Sequence, residues 1–169
     1  GKIAELNLTD GLATSWTPPS ANSTVSTLAL DGSTLYVGGY FGTLGGVARN
    51  KIGAISTVDG SLLAWSPTAN STVSKILVNN DTIYVAGDFT NIGGQTRNRI
   101  AAIDSDGLAT DWNPNAGSSV LTMAIQDSTM FVAGHFLSIG GQTRYYLASL
   151  DLETNTNNAT DWNPNVTNP

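Results

Sequence analysis

The stretch "FTNIGGQTRNRIAAID", residues 89–104, decides how this chain is read. Taken alone it looks like a glycine turn carrying arginines, the kind of loop that could cradle a phosphate. The same phrase returns as "FLSIGGQTRYYLASLD" at 136–151 and, more loosely, as "FGTLGGVARNKIGAIS" at 41–56. A single active site is not built three times along one chain, so the phrase belongs to a repeating structural unit. Extended outward, it defines copies at 22–69, 70–116 and 117–166, of 48, 47 and 50 residues. Residues 2–21, "KIAELNLTDGLATSWTPPSA", match the closing half of a copy and place Trp16 in the column of Trp65, Trp112 and Trp162. One repeat domain over 1–169 results, made of a closing half-copy and three full copies.

Each copy reads as four short strands. In the second, Val73–Val78 is followed by the turn "NND", Thr82–Phe89 by "NIGGQTR", Arg99–Asp104 by "SDG", and a last run reaches Trp112. These runs alternate or are rich in β-branched and aromatic residues, and turn residues punctuate them. No stretch keeps apolar residues at helical spacing for three turns, and the Gly, Asn, Ser and Thr content disfavours helix, so helix should be nearly absent. Copies of this length with four antiparallel strands are the signature of an all-β β-propeller, each copy one blade. A β-solenoid is the rival, but its coils are about half this long.

The wording of the repeat resembles the uncharacterised bacterial propeller repeats whose consensus runs "VYVGGxF", "IGGxxRNxIAALD" and "WNPN", related more loosely to Kelch and quinoprotein-type blades. "LYVGGYF", "IYVAGDF" and "MFVAGHF" carry the first phrase here, and "WSPTA" and two copies of "DWNPN" carry the last. The resemblance covers nearly the whole chain and implies a propeller in large surface or secreted bacterial proteins. It implies no activity, and quinoprotein chemistry is not carried over, because no cofactor-binding ring is identifiable.

Composition narrows the function classes. Seven Lys and Arg against thirteen Asp and Glu give a net charge of −6, without a basic track for nucleic acid. There is no cysteine, so neither a disulfide framework nor a thiolate metal site is expected, and His135 is the sole histidine. No apolar run approaches 18 residues, so membrane insertion is not expected either. The chain starts at Gly1 without a methionine and begins and ends inside the repeat, which reads as a piece of a longer protein whose ring is completed by further repeats or by a second copy.

The repeated elements read first as structure. Gly45-Gly46, Gly93-Gly94 and Gly140-Gly141 lie between strands, where glycine supplies the positive φ of a tight turn, whereas a phosphate loop leads into a helix. Arg49, Arg97 and Arg144 share one column and could hold an anion, but tying a loop to carbonyls or to a carboxylate is the expected role. The tryptophans read as core between stacked sheets, with carbohydrate stacking as the alternative if the rings are exposed. The Asp-Gly turns at Asp10, Asp59 and Asp106 lack the spaced carboxylates of a calcium loop, and no cofactor or metal is expected.

What differs between copies is more informative. The residue before the shared phenylalanine is Tyr40, Asp88 and His135 in turn, on the strand face opposite Val37, Val85 and Val132, near a mouth of the propeller. These three are the candidate ligand contacts; catalytic residues are not assigned, because no local motif marks a nucleophile and a paired-carboxylate glycosidase needs two close acids. The reading is a non-catalytic module with a structural, adhesive or ligand-displaying role toward surface polysaccharide or protein. The alternative is a carbohydrate-active lyase or hydrolase working in the central mouth. Six Asn-x-Ser/Thr sequons, at Asn7, Asn22, Asn70, Asn80, Asn158 and Asn165, are candidate glycosylation sites and point to an extracellular or cell-surface setting.

Overall fold

A computed structural model describes residues 3–166; Lys2, the first residue of the closing half-copy, lies outside them. No helix occurs among the described residues, because the sequence supplies turn residues and β-branched runs in place of helical periodicity. The first copy contains β1 (Val25–Asp31), β2 (Thr34–Gly39), β3 (Thr43–Leu44), β4 (Val47–Ala48) and β5 (Ile52–Ser56). The second contains β6 (Val73–Asn79), β7 (Thr82–Gly87), β8 (Asn91–Ile92), β9 (Gln95–Thr96) and β10 (Ile100–Ile103). The third contains β11 (Val120–Gln126), β12 (Thr129–Gly134), β13 (Ser138–Ile139), β14 (Gln142–Thr143) and β15 (Leu147–Asp151).

The long strands of every copy form a three-stranded antiparallel sheet, in the orders β1-β2-β5, β6-β7-β10 and β11-β12-β15, and the short ones pair as β3-β4, β8-β9 and β13-β14. The fourth run of each copy narrows to a single bridge: Ile55↔Leu62, Ile103↔Ala109 and Leu150↔Ala159. Two hydrogen bonds flank the second of these, Asp104 N–H to the Leu108 carbonyl and Thr110 N–H to the Ala102 carbonyl, both 2.9 Å. Beyond that point proline in "WSP" or "WNP" removes a donor and ends the pairing. Inner strand β1 lies beside β6 and β6 beside β11, so the sheets fan out face to face as successive propeller blades.

Cores sit between the blades as well as within them. Val85, Ile83 and Ala101 of the second copy pack with Ile52, Tyr36 and Trp65 of the first. Met123, Val132 and Leu150 of the third pack with Tyr84, Ala86 and Trp112 of the second. A blade alone would leave one face of its sheet in water; its neighbour covers it.

The tryptophans join the blades. Trp65 stands edge-on to Tyr36 of its own copy at 4.9 Å, and its indole N–H donates 3.0 Å to the Asp104 carbonyl of the next. Trp112 repeats this with Tyr84 at 5.3 Å and the Asp151 carbonyl at 3.1 Å. Trp16 of the half-copy donates 3.4 Å to the Ser56 carbonyl of the first full copy. Trp162 packs against Phe131 and remains exposed, with no carbonyl accepting its indole N–H among the described residues.

The "GGQTR" phrase is more ordered than a loop. β8 and β9 form a miniature hairpin whose tip is Gly93-Gly94, with φ of +60° and +77°, the two left-handed positions of a type I′ turn. Gly93 N–H donates 2.7 Å to the Pro67 carbonyl of the preceding copy while its own carbonyl receives Ala109 N–H at 3.0 Å. The tip therefore clamps two blades together. A Cβ on Gly93 would collide with the Ala109 backbone nitrogen, whereas one on Gly94 would meet open space.

Gly93→Ala should therefore cost about 3 kcal/mol, combining left-handed strain with a backbone collision, and Gly94→Ala about 1 kcal/mol from strain alone. Urea unfolding of the two variants checks the difference; equal costs would mean that the clamp contributes nothing.

The Asp-containing turns set an acid limit. The Ser56 hydroxyl, followed by the N–H and hydroxyl of Ser61, holds the Asp59 carboxyl down to about 2. The Glu153 N–H, followed by the Thr154 hydroxyl, lowers that of Asp151. Both carboxyls protonate at lower pH folded than unfolded, so the stability they contribute is complete above the ordinary carboxylate range and is lost as pH falls. Thermal melts should be flat from about pH 7 to 5 and drop from about pH 4 to 2, with the drop reduced in Asp59→Asn.

Candidate functional site

The three candidate contacts occupy one structural position. Strands β2, β7 and β12 each end in glycine because the bulged start of the inner strand lies against them, shifting register between Val25 and Thr27, Val73 and Lys75, and Val120 and Thr122. A Cβ on Gly87 would collide with the Thr72 carbonyl. The next N–H is then caught by the inner strand: Tyr40 by the Thr24 carbonyl, Asp88 by Thr72 and His135 by Ser119, each at 2.9 Å. All three side chains emerge just past the strand ends, at one end of the inner strands. Tyr40 and His135 are exposed and Asp88 is half-buried, while Val37, Val85 and Val132 are core.

A second column, which the sequence reading missed, stands beside the first. Lys51, Arg99 and Tyr146 have φ of 68°, 68° and 65°, a left-handed conformation that costs each side chain about 1 kcal/mol. The frame imposes it: the Lys51, Arg99 and Tyr146 N–H groups donate to the Phe41, Phe89 and Phe136 carbonyls, and their own carbonyls accept from Gly39, Gly87 and Gly134. Lys51 Nζ donates 3.0 Å to the Tyr40 carbonyl, and the Arg99 guanidinium donates to that of Asp88. Only positive φ marks this column, and nothing in the sequence announces it, since the residues there are a lysine, an arginine and a tyrosine.

The chemistry available at this end is that of fixed hydrogen-bonding groups. The Asp88 carboxylate accepts the Ser119 hydroxyl across the blade boundary. His135 engages Ser119 through its backbone N–H, so the serine, aspartate and histidine do not form a relay in which an imidazole lies between hydroxyl and carboxylate. Among the described residues no three His, Cys, Asp or Glu side chains converge as metal ligands.

The other columns are structural ties. Arg49 donates to the Ala48 and Leu63 carbonyls, Arg97 to Thr96 and Thr110, and Arg144 to Thr143 and Thr160, so each guanidinium pins its hairpin to the closing run. Asp10 and Asp59 carboxylates accept N–H groups two residues on, from Leu12 and Ser61, whereas in the second copy it is Asp104, not Asp106 of the Asp-Gly pair, that accepts the Asp106 and Leu108 N–H groups. Asn22 Oδ1 receives Gly42 and Thr43 N–H groups, and Asn70 Oδ1 receives those of Thr90 and Asn91. Asn158 is buried, with Nδ2 donating 3.2 Å to the Thr154 carbonyl, so a glycan there requires its loop to open. Asn7, Asn80 and Asn165 are exposed; Thr167, which completes the Asn165 sequon, lies outside the described residues. A cavity of about 920 Å³ between the second and third blades opens at the opposite end, near the Asn79–Thr82 turn and Asp127, and none of the candidate contacts lines it.

A family model described as a domain of unknown function (DUF5122) beta-propeller matches residues 79–108. No curated protein matches the chain. Among solved structures, the computationally designed Ika8 protein is similar at 12% identity over 94% of this chain and 42% of that one, with a TM-score of 0.62. The computationally designed Ika4 protein is similar at 12% identity over 85% of this chain and 74% of that one, with a TM-score of 0.57. The chain thus spans less than half the length of Ika8. At that identity the likeness carries the fold alone. It is a β-propeller fold, and the family resembled has no assigned activity.

The geometry separates display from framework. Tyr40→Ala and His135→Ala should each change stability by less than about 0.5 kcal/mol, because the backbone holds their positions. Arg97→Ala leaves the part-buried Thr110 carbonyl without its donor and should cost about 1 to 2 kcal/mol. Denaturant unfolding of the three variants tests the division, and a large loss in Tyr40→Ala would refute it.

Proposed function

We propose that this chain is a non-catalytic binding module, acting outside the cell or on its surface, that presents Tyr40, Asp88 and His135 at one mouth of the propeller to a glycan. One observation carries the reading: identical backbone bonds fix the position in each blade while the side chain differs each time. Framework positions repeat their chemistry, as the arginine and tryptophan columns do, and a position that varies on a fixed frame is suited to contacting something asymmetric. Exposed tyrosine and histidine rings offer faces for sugar stacking, and Asp88, Lys51 and Arg99 offer hydrogen-bonding groups beside them. A hydrolase or lyase in the same mouth would need acid and base groups aimed at one point; the Asp88 carboxylate is instead engaged by Ser119. Exposed sequons at Asn7, Asn22, Asn70 and Asn80 support the extracellular or surface setting.

A glycan array run alongside a reducing-end assay on the bound polysaccharides tests the proposal. Saturable binding is expected without release of reducing ends, weakening about tenfold or more in a Tyr40→Ala, His135→Ala double variant, as loss of stacking at a buried contact does. Turnover would replace the module by an enzyme, and binding untouched by the double variant would move the site elsewhere. Recovery of the native protein from cytosol alone would overturn the location.

A further inference from the structure

The first blade exposes an apolar face that its sister blades bury. Ile76 and Met123, at the same inner-strand position of the second and third copies, are 1% and 4% exposed; the equivalent Leu28 of the first is 48% exposed. Two residues further along, Val78 and Ile125 pack against their clusters, while Leu30 is 64% exposed. At both complete interfaces the covering element is the opening hairpin of the preceding copy: β1 and β2 cover the Ile76 position, and β7 supplies Tyr84 and Ala86 over Met123. The covering is also polar, since Thr27 Oγ1 accepts the Ile76 N–H at 3.1 Å.

The half-copy already occupies the outer part of such a blade. Its Leu6↔Ala13 bridge corresponds to Ile103↔Ala109, and Trp16 makes the interblade bond that Trp65 and Trp112 make. Two things are missing: a strand along residues 3–6, where β7 runs along β10, and the ring that Tyr36 gives Trp65. Among the described residues Trp16 stands against no aromatic ring. In their place is a cavity of about 190 Å³ walled by Ile3, Trp16, Leu28, Leu30 and Leu35.

We propose that this cavity and the free edge of residues 3–6 are a docking surface for a two-stranded β-hairpin of the opening-half type, supplied by a further copy of the same repeat. The second strand of the hairpin pairs antiparallel with residues 3–6, its aromatic residue meets Trp16 edge-on, and its first strand covers Leu28 and Leu30. The two complete interfaces show each of these contacts. A second copy of this chain does not fit, because its closing end already carries its own Trp162 and fourth run, whereas the surface lacks inner strands. The inference is independent of the glycan reading, which concerns the mouth residues.

The test uses the full 169-residue chain and, as probe, a peptide of its own residues 70–89. Hydrogen exchange on the mixture should give the amides of residues 3–6 and 28–30 about tenfold or more protection, with quenching or blue shift of Trp16 emission. Leu28→Asp, which alters an exposed side chain and leaves the fold intact, should abolish both effects. In a second form, residues 70–99 joined ahead of Ile3 should raise the urea midpoint and remove hydrophobic-dye binding. No added protection from peptide and no gain from the joined form would overturn the proposal. So would a dimer of the unextended chain by light scattering that Leu28→Asp converts to monomer, since a second copy would then be the occupant. Glycan binding reads separately, so either proposal can fail alone.

Discussion

The interblade tryptophan is the contact on which the remaining structure depends. Trp65 and Trp112 each bury a large ring between a tyrosine of their own sheet and the strand end of the next. An aromatic of this size buries about 200 Å², worth up to about 5 kcal/mol at the usual area coefficient. The indole hydrogen bond adds about 1 kcal/mol net. Burial holds the blades together, and the hydrogen bond from each indole to one strand-end carbonyl of the next blade sets their relative height. The glycine hairpin tip and its bond to the preceding Pro67 carbonyl reinforce the same seam from its outer side.

From that seam the mouth follows. Within each blade the carbonyls of Thr24, Thr72 and Ser119 capture the backbone of Tyr40, Asp88 and His135, and the seam aligns the three captured positions from blade to blade. The side chains are left free to differ because none is required for the capture. Left-handed backbone at Lys51, Arg99 and Tyr146 is the strain this arrangement retains, and it sits beside the variable column. The Asp88 to Ser119 contact crosses from the second blade to the third and ties the two together at the mouth.

The two ends of the fan are unequal. At one, the half-copy contributes an outer edge and a seated Trp16 over an uncovered inner face; at the other, a complete blade ends in Trp162, packed on Phe131 and exposed. Repeat folds gain stability by neighbour contacts, and terminal units that lack a polar outer face are their weak points. Leu28 and Leu30 are therefore where fraying should begin.

The repeat, and through it the blade, is legible in the order of residues alone. Alternation in "TIYVAGDF", the paired glycines and the Asp-Gly turns are local signals that tertiary context did not override; the arginine column and Trp65 and Trp112 took the structural roles their chemistry suggests, whereas Trp162 of the same column stays exposed. Tertiary structure alone decided the rest. The fourth run of each blade shrinks to one bridge, because a β-competent segment pairs only as far as its proline permits. Left-handed backbone falls on lysine, arginine and tyrosine, residue types that do not signal it, because neighbouring strands dictate the dihedral. Leu28 reads like Ile76 in sequence and differs in exposure, because burial depends on which neighbour is present and that is not a property of the strand itself.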